Sequence, residues 1–147
     1  EYLFVCKFHI SSLSWDSFLI NQSKEYVFTV TFSIFEHLLE WYFSFKFINP
    51  IIFLIGIVCM IIGHYFRISA EFTAGTNFTH IISTRKKAKH RLVKEGVYRF
   101  SRHPSYFGFY IWSLGTQIMC LNYISIFGFI YALNMFFKER IAYEEEF

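Results

Sequence analysis

The feature that most constrains this chain is a run of 20 residues, 47–66, without a single Lys, Arg, Asp or Glu. About 20 apolar residues are what a helix needs to cross the hydrocarbon core of a bilayer. Pro50 lies where the first turn of such a helix tolerates it, and Gly56 and Gly63 permit close approach of a neighbouring helix. The run therefore predicts a transmembrane helix.

A second region, residues 103–137, extends for 35 residues without a formal charge and is flanked by Arg102 and Lys138. Basic residues at both ends indicate a return to the same side of the membrane. Two arms of about 16 residues would each reach roughly 24 Å, less than the core of roughly 30 Å. We predict a helical hairpin, tilted or incompletely crossing, that turns near Asn122.

The segment before the first span, residues 26–45, is apolar but contains Glu36, His37 and Glu40. Glu36 and Glu40 are four residues apart and share a helix face. For these carboxylates a structural role, pairing with another helix or lying near an interface, is favoured over catalysis. Residues 8–23 are mixed and predict a short helix or the end of a span.

Composition supports the same class of protein, with 54% hydrophobic and only 17% charged residues. We predict an all-α, polytopic membrane protein with one domain over residues 1–147, transmembrane helices in 1–70 and a catalytic region in 71–147. The chain opens without Met or a basic leader, and we expect it to be a fragment of a longer protein. Cys6, Cys59 and Cys120 show no metal or redox spacing and are interpreted as packing residues.

A polar connector, residues 67–102, separates the two uncharged regions. The net charge of +3 is too small to argue for nucleic acid, but eight basic residues cluster within the connector. Such a cluster beside apolar segments marks the cytoplasmic side. The eight are Arg85, Lys86, Lys87, Lys89, Arg91, Lys94, Arg99 and Arg102.

The sequence HRLVKEGVYRFSRHPSYFG at 90–108 resembles the signature of the isoprenylcysteine carboxyl methyltransferases. Three further stretches are similar to the eukaryotic enzymes: FTAGTNFTHII at 72–82, SLGTQIMCLN at 113–122 and FFKERIAYEEEF at 136–147. The signature elements are Leu92-Val93, Gly96-Val97-Tyr98, Arg102-His103-Pro104-Ser105-Tyr106 and Gly108. Their order and spacing together are more specific than any one of them.

The resemblance implies methyl transfer from S-adenosyl-L-methionine to the C-terminal carboxylate of prenylated proteins, in the endoplasmic reticulum membrane with the site facing the cytoplasm. Arg140 would contact the substrate, and we expect Arg140 and Arg102 to serve catalysis. Ser83 stands where the family often has Gln. The implied cofactor contacts are His90, Arg91, Leu92, Val93, Tyr98, His103, Pro104, Ser105, Tyr106 and Glu144.

The residue types suit these ligands. The cofactor carries cationic groups that Glu144 or Glu145 can face, a carboxylate for Arg102 or His103, and an adenine for the rings of Tyr98 and Tyr106. Pro104 also suits the first turn of the hairpin, whose amino end attracts anions. The acceptor carboxylate is ionised at neutral pH, so its methylation needs alignment and no general base.

Purely structural interpretations of the same residues remain as alternatives. His103-Pro104 can simply start a helix, Tyr98 and Tyr106 can be interface anchors, and residues 144–146 can form a solvated face. At the level of function, the alternatives are a phospholipid-amine N-methyltransferase and a catalytically silent scaffold that binds anionic lipids. Asn77 begins a glycosylation triplet, which we predict to be unmodified on a cytoplasmic connector.

Overall fold

The computed structural model describes residues 24–43, 49–75 and 93–145, and within these ranges all regular secondary structure is helical, with no strand. The predicted all-α class is confirmed there, whereas the predicted helix at 8–23 and Asn77 lie outside the described residues. The helices are α1 (Lys24–Tyr42), α2 (Pro50–Ala74), a 3₁₀ helix (Gly96–Arg99), α3 (Pro104–Cys120) and α4 (Tyr123–Glu145).

Helix α2 begins as its sequence predicts. The side chain of Asn49 accepts hydrogen bonds from the amides of Ile51 and Ile52, and Pro50 occupies the first turn. By length and composition α2 is the one helix in the described ranges that can cross a membrane, and only 11% of its most apolar window is buried. The predicted helix is thus confirmed.

The boundary predicted between α2 and the connector is wrong. The helix continues past residue 66 to Ala74, because Arg67 and Glu71 pair one turn apart and are shielded from solvent. It ends at Gly75, whose φ of +51° is a conformation that favours glycine. The prediction placed the boundary at the first charged residue, but a helix can extend through charged residues when they are buried and paired.

Helices α2 and α3 pack backbone against backbone through four glycines. A Cβ added to Gly56 or Gly63 of α2 would lie 2.5 or 2.4 Å from the amide nitrogen of Met119 or Trp112. A Cβ added to Gly108 or Gly115 of α3 would lie 2.6 or 2.8 Å from the nearest amide nitrogen of α2. The predicted contact role of Gly56 and Gly63 is confirmed, and the antiparallel partner is the first arm of the hairpin.

The hairpin turns at Leu121 and Asn122, as predicted. Leu121 adopts a left-handed conformation with φ of +56°, and the amide of Asn122 donates to the carbonyl of Gln117 at 3.0 Å. The Asn122 side chain donates to Gln117 Oε1 at 2.9 Å and to the Ser33 carbonyl at 3.2 Å. The first arm has 17 residues, whereas α4 has 23 because it continues through the charged residues to Glu145.

Glu36 of α1 joins α1 to the start of α4. Its carboxylate accepts hydrogen bonds from the amides of Ile124 and Ser125, each at 2.8 Å, and from the Ser125 hydroxyl. A carboxylate at a helix N-terminus accepts hydrogen bonds from otherwise unpaired amides and interacts favourably with the positive end of the helix dipole. The structural role predicted for Glu36 is confirmed.

An aromatic core lies between α1, α3 and α4, where Tyr26 contacts the rings of Phe109 and Phe129 at 5.5 and 5.9 Å. The rest of the cluster consists of Leu133 and Phe137 on α4. Because α3 and α4 both pack into this core, their far ends, residues 103–106 and 140–145, are held beside each other.

Candidate functional site

Tyr106, Arg140 and Glu144 form a hydrogen-bonded cluster where the two ends of the hairpin meet. The Tyr106 hydroxyl donates to Glu144 Oε1 and accepts from Arg140 Nε at 2.8 Å. Arg140 Nε also lies 3.3 Å from Glu144 Oε1, one turn along α4. The guanidinium sits 5.5 Å from the centroid of the Tyr106 ring, a cation–π contact.

His103 lies beside this cluster at the amino end of α3. Its ring stacks on Tyr106 at a centroid distance of 5.4 Å and an interplanar angle of 8°. Nδ1 is 3.7 Å from Glu144 Oε2, and Nε2 is 3.7 Å from Glu145 Oε1. Nε2 is buried and makes no hydrogen bond to any residue that the structure describes. Both ring nitrogens of His103 therefore face carboxylates at the end of α4.

Arg102 occupies the outer rim of the cluster. Its side chain is 86% exposed, and its Nη1 lies 3.5 Å from Glu145 Oε1. An exposed ion pair of this kind contributes little to stability. Arg102 therefore lies at the solvent-exposed rim, whereas the Arg140 side chain is mostly buried.

Pro104 and Ser105 are both buried in the first turn of α3. The Ser105 carbonyl and hydroxyl oxygens each accept a hydrogen bond from Arg67 Nη1 of α2, at 3.3 Å. Arg67 is absent from the residues predicted from sequence. The available signal was a lone arginine at the end of an uncharged run, which equally suits the end of a membrane span.

Tyr98 of the 3₁₀ helix is half-buried on the α2 side of the same end of the protein. Burial, reinforced by the negative charges of Glu71 and Glu144, raises the pKa of Tyr98 to about 12. Its hydroxyl is thus a neutral donor at physiological pH. Val93 is also half-buried, at the start of this segment.

Three predicted contacts, His90, Arg91 and Leu92, fall outside the described residues, and so does Ser83. Those that the structure describes combine a carboxylate, aromatic rings and a helix N-terminus, which suit a ligand that carries charges of both signs and an aromatic ring. Within the same ranges no three His, Cys, Asp or Glu side chains group for a metal ion.

Fold and site together define the class: an all-helical protein with a membrane-length helix and a polar, partly buried site where the two ends of a helical hairpin meet. The model of the isoprenylcysteine carboxyl methyltransferase family matches residues 54–147. The chain belongs to this family.

The similarity to individual proteins extends beyond residues 54–147. The chain is 41% identical over 147 residues to the protein-S-isoprenylcysteine O-methyltransferase of Dictyostelium discoideum and 40% identical over 154 residues to that of Saccharomyces cerevisiae. Both alignments include 100% of this chain, but 62% and 64% of the relatives' own lengths.

A solved structure described as the eukaryotic intramembrane Ras methyltransferase is similar to the fold, with a TM-score of 0.85 and 39% identity. The similarity covers 99% of this chain and 53% of that one. The chain therefore spans between half and two thirds of the length of each of these three proteins.

Proposed function

We propose that this protein methylates the C-terminal α-carboxylate of prenylated cysteine with S-adenosyl-L-methionine as methyl donor, and that residues 71–147 are its catalytic region. Membership of the isoprenylcysteine carboxyl methyltransferase family supports the reaction class. The observation that carries the proposal is the cluster of Tyr106, Arg140 and Glu144, where the two ends of the hairpin meet.

Arg140 is the residue assigned to the acceptor. A guanidinium carries five N–H donors and suits a planar carboxylate better than a point charge does. Tyr106 and Glu144 both contact the Arg140 Nε, which fixes the plane of the guanidinium. Holding one carboxylate oxygen leaves the other to attack, and alignment supplies most of the rate.

The cofactor is assigned to the surface formed by Tyr98, His103 and Glu144, together with Val93 and the buried turn at Pro104–Ser105. His90, Arg91 and Leu92 extend this assignment into residues that the structure does not describe. When bound, the cofactor supplies an electrophilic methyl group on a sulfonium. The exposed Arg102 is assigned to capture of an anionic group at the rim.

The prenyl chain of the proposed substrate supports a location of the enzyme in the membrane. Each buried methylene of a prenyl chain contributes about 0.8 kcal/mol, so the lipid is presented more favourably from the bilayer than from water. We assign the protein to the endoplasmic reticulum membrane as a multi-pass protein, with prenylated proteins as partners. The basic residues that flank the hairpin, Arg102 and Lys138, support a site that faces the cytoplasm.

The direct test is an incubation of membranes containing the protein, expressed from its full reading frame, with radiolabelled S-adenosylmethionine and a farnesylated cysteine analogue. The expected product is a base-labile methyl ester on the analogue. An absence of ester, or label found only on lipid amines as N-methyl groups, would contradict the proposal and favour the phospholipid enzyme. A silent scaffold would show no saturable binding of S-adenosylhomocysteine by calorimetry.

Replacing Arg140 by Ala separates the two ligands. Losing a buried charged contact costs about 2 kcal/mol or more, so acceptor kcat/KM should fall about thirtyfold or further. S-adenosylhomocysteine affinity should fall much less, because Glu144 remains. Lys138→Ala is the matched control, since it removes an exposed cation from the same helix. Equal losses for acceptor and cofactor would refute the division of roles.

A further inference from the structure

A second charged pair lies on the α2 side of the site. Arg67 Nε is 3.7 Å from Glu71 Oε1, and the two side chains are 14% and 5% exposed. Removing two charges from water is costly, so a shielded pair is retained only where further contacts compensate. The Arg67–Glu71 pair lies at the end of the helix bundle that holds the site, so its compensating contacts are expected on the start of α3.

Arg67 reaches across to the first turn of α3. Its Nη1 donates to both the carbonyl and the hydroxyl of Ser105 at 3.3 Å, and the guanidinium lies 4.9 Å from the ring centroid of Phe109. The Arg67 side chain thereby contacts the start of α3 at two places, Ser105 and Phe109. Ser105 immediately precedes Tyr106, so the same turn carries the residue that contacts Arg140.

The contacts continue without a break into the proposed acceptor site. From Glu71 they pass through Arg67 to Ser105, and from the adjacent Tyr106 to Arg140 and Glu144. Arg67 also interacts electrostatically with both Tyr106 and Arg140. Helix α3 is thus tied to α2 by one charged pair and to α4 by the other.

We propose that Arg67 and Glu71 are positioning residues for methyl transfer: Glu71 orients the Arg67 guanidinium, which fixes the first turn of α3 so that Tyr106 keeps Arg140 aligned. This inference rests on the proposed function. It requires a fork of donors, which a lysine ammonium does not provide. It requires no contact between Arg67 and either substrate.

The test is a double-mutant cycle of Arg67→Lys with Tyr106→Phe, together with Glu71→Gln. Misplacement of an aligning group by about 1 Å costs up to about a hundredfold in rate. We expect Arg67→Lys and Glu71→Gln to lower kcat about ten- to a hundredfold, with a smaller loss of S-adenosylhomocysteine affinity because the same turn also borders the surface assigned to the cofactor. In the Tyr106→Phe background Arg67→Lys should cost far less, because the alignment that it transmits is already lost.

Glu36→Gln is the matched control, a change at another buried carboxylate but at the opposite end of the hairpin. It should lower thermal stability and leave kcat per folded molecule unchanged. If Arg67→Lys behaves like this control, or if its effect and that of Tyr106→Phe simply multiply, the pair is structural only and the inference is wrong.

Hydrogen–deuterium exchange provides a readout that is independent of activity. Peptides covering residues 103–110 should exchange faster in Arg67→Lys than in the parent, while α1 peptides stay unchanged, because the first turn of α3 loses its clamp. Unchanged exchange at 103–110 overturns the inference even if activity falls. Should the parent form no methyl ester, the proposed function fails and the exchange result alone decides whether the clamp exists.

Discussion

At the scale of single residues, Tyr106 is the junction of the site. Its hydroxyl accepts from Arg140 and donates to Glu144, and its ring stacks with His103. A phenol that is both donor and acceptor can join a cation to an anion without adding charge. The residue proposed to hold the acceptor and those proposed to hold the cofactor are therefore coupled through one side chain.

Tyr106→Phe tests this coupling because it removes the hydroxyl and keeps the ring. A hydrogen bond to a charged group contributes about 1.5–3 kcal/mol, so kcat/KM for the acceptor should fall about ten- to a hundredfold. Steady-state kinetics on the farnesylated analogue measure the change.

Tyr110→Phe is the control for that variant, since its hydroxyl meets only an exposed contact with Asn134 at 3.5 Å among the described residues. Equal activity of the two variants would show that the Tyr106 hydroxyl has no part in alignment.

Sequence reasoning found the residues of this cluster but not their connections. The motif order identified Tyr106, Arg140 and Glu144, because each belongs to a stretch that resembles the family. Arg67 was missed because its partners, Glu71 and Ser105, become neighbours only when α2 packs on α3. Contacts between distant segments depend on helix register, which composition and charge do not specify.

At the scale of elements, the glycines of α2 and α3 set how closely the two helices approach. Those on α2 were predicted as contact points from their type, but the matching pair, Gly108 and Gly115, was not. Small residues let backbones meet and replace side-chain packing with backbone contact. The close approach also brings Arg67 within reach of Ser105, so element packing determines the site.

Gly63→Ala should therefore destabilise the protein strongly. The new Cβ would meet the Trp112 amide nitrogen at 2.4 Å, and overpacking of this kind costs about 1–3 kcal/mol, more than the helix propensity gained. Thermal unfolding in detergent should show a clear drop in Tm.

Gly128→Ala is the matched change in α4, where the nearest atom to a new Cβ is Thr29 Cγ2 at 3.4 Å. Alanine there should leave stability unchanged or raise it by about 0.5–1 kcal/mol. Similar losses at Gly63 and Gly128 would mean that helix separation is not the limiting factor.

At the scale of the whole molecule, the outward faces are apolar where a soluble protein would be polar. Ile61 at the middle of α2 is 63% exposed, and Phe72 near its end is 60% exposed. Exposed apolar patches of this extent indicate a surface normally covered by another apolar phase. The cluster of polar site residues lies at the end of the bundle where α2 becomes charged.

A bilayer makes these two equally exposed positions inequivalent, and that difference is measurable. Arginine at the centre of a spanning helix costs about 3 kcal/mol of insertion free energy and much less near the ends. With α2 placed in a host membrane protein whose glycosylation sites report insertion, Ile61→Arg should sharply lower the inserted fraction and Phe72→Arg should barely change it. Equal effects would indicate that α2 does not place residue 61 at the bilayer centre. Such a result would remove the support for a site at the membrane surface. Only at that surface can the protein bind a prenyl chain that lies in the bilayer together with a carboxylate that lies in water.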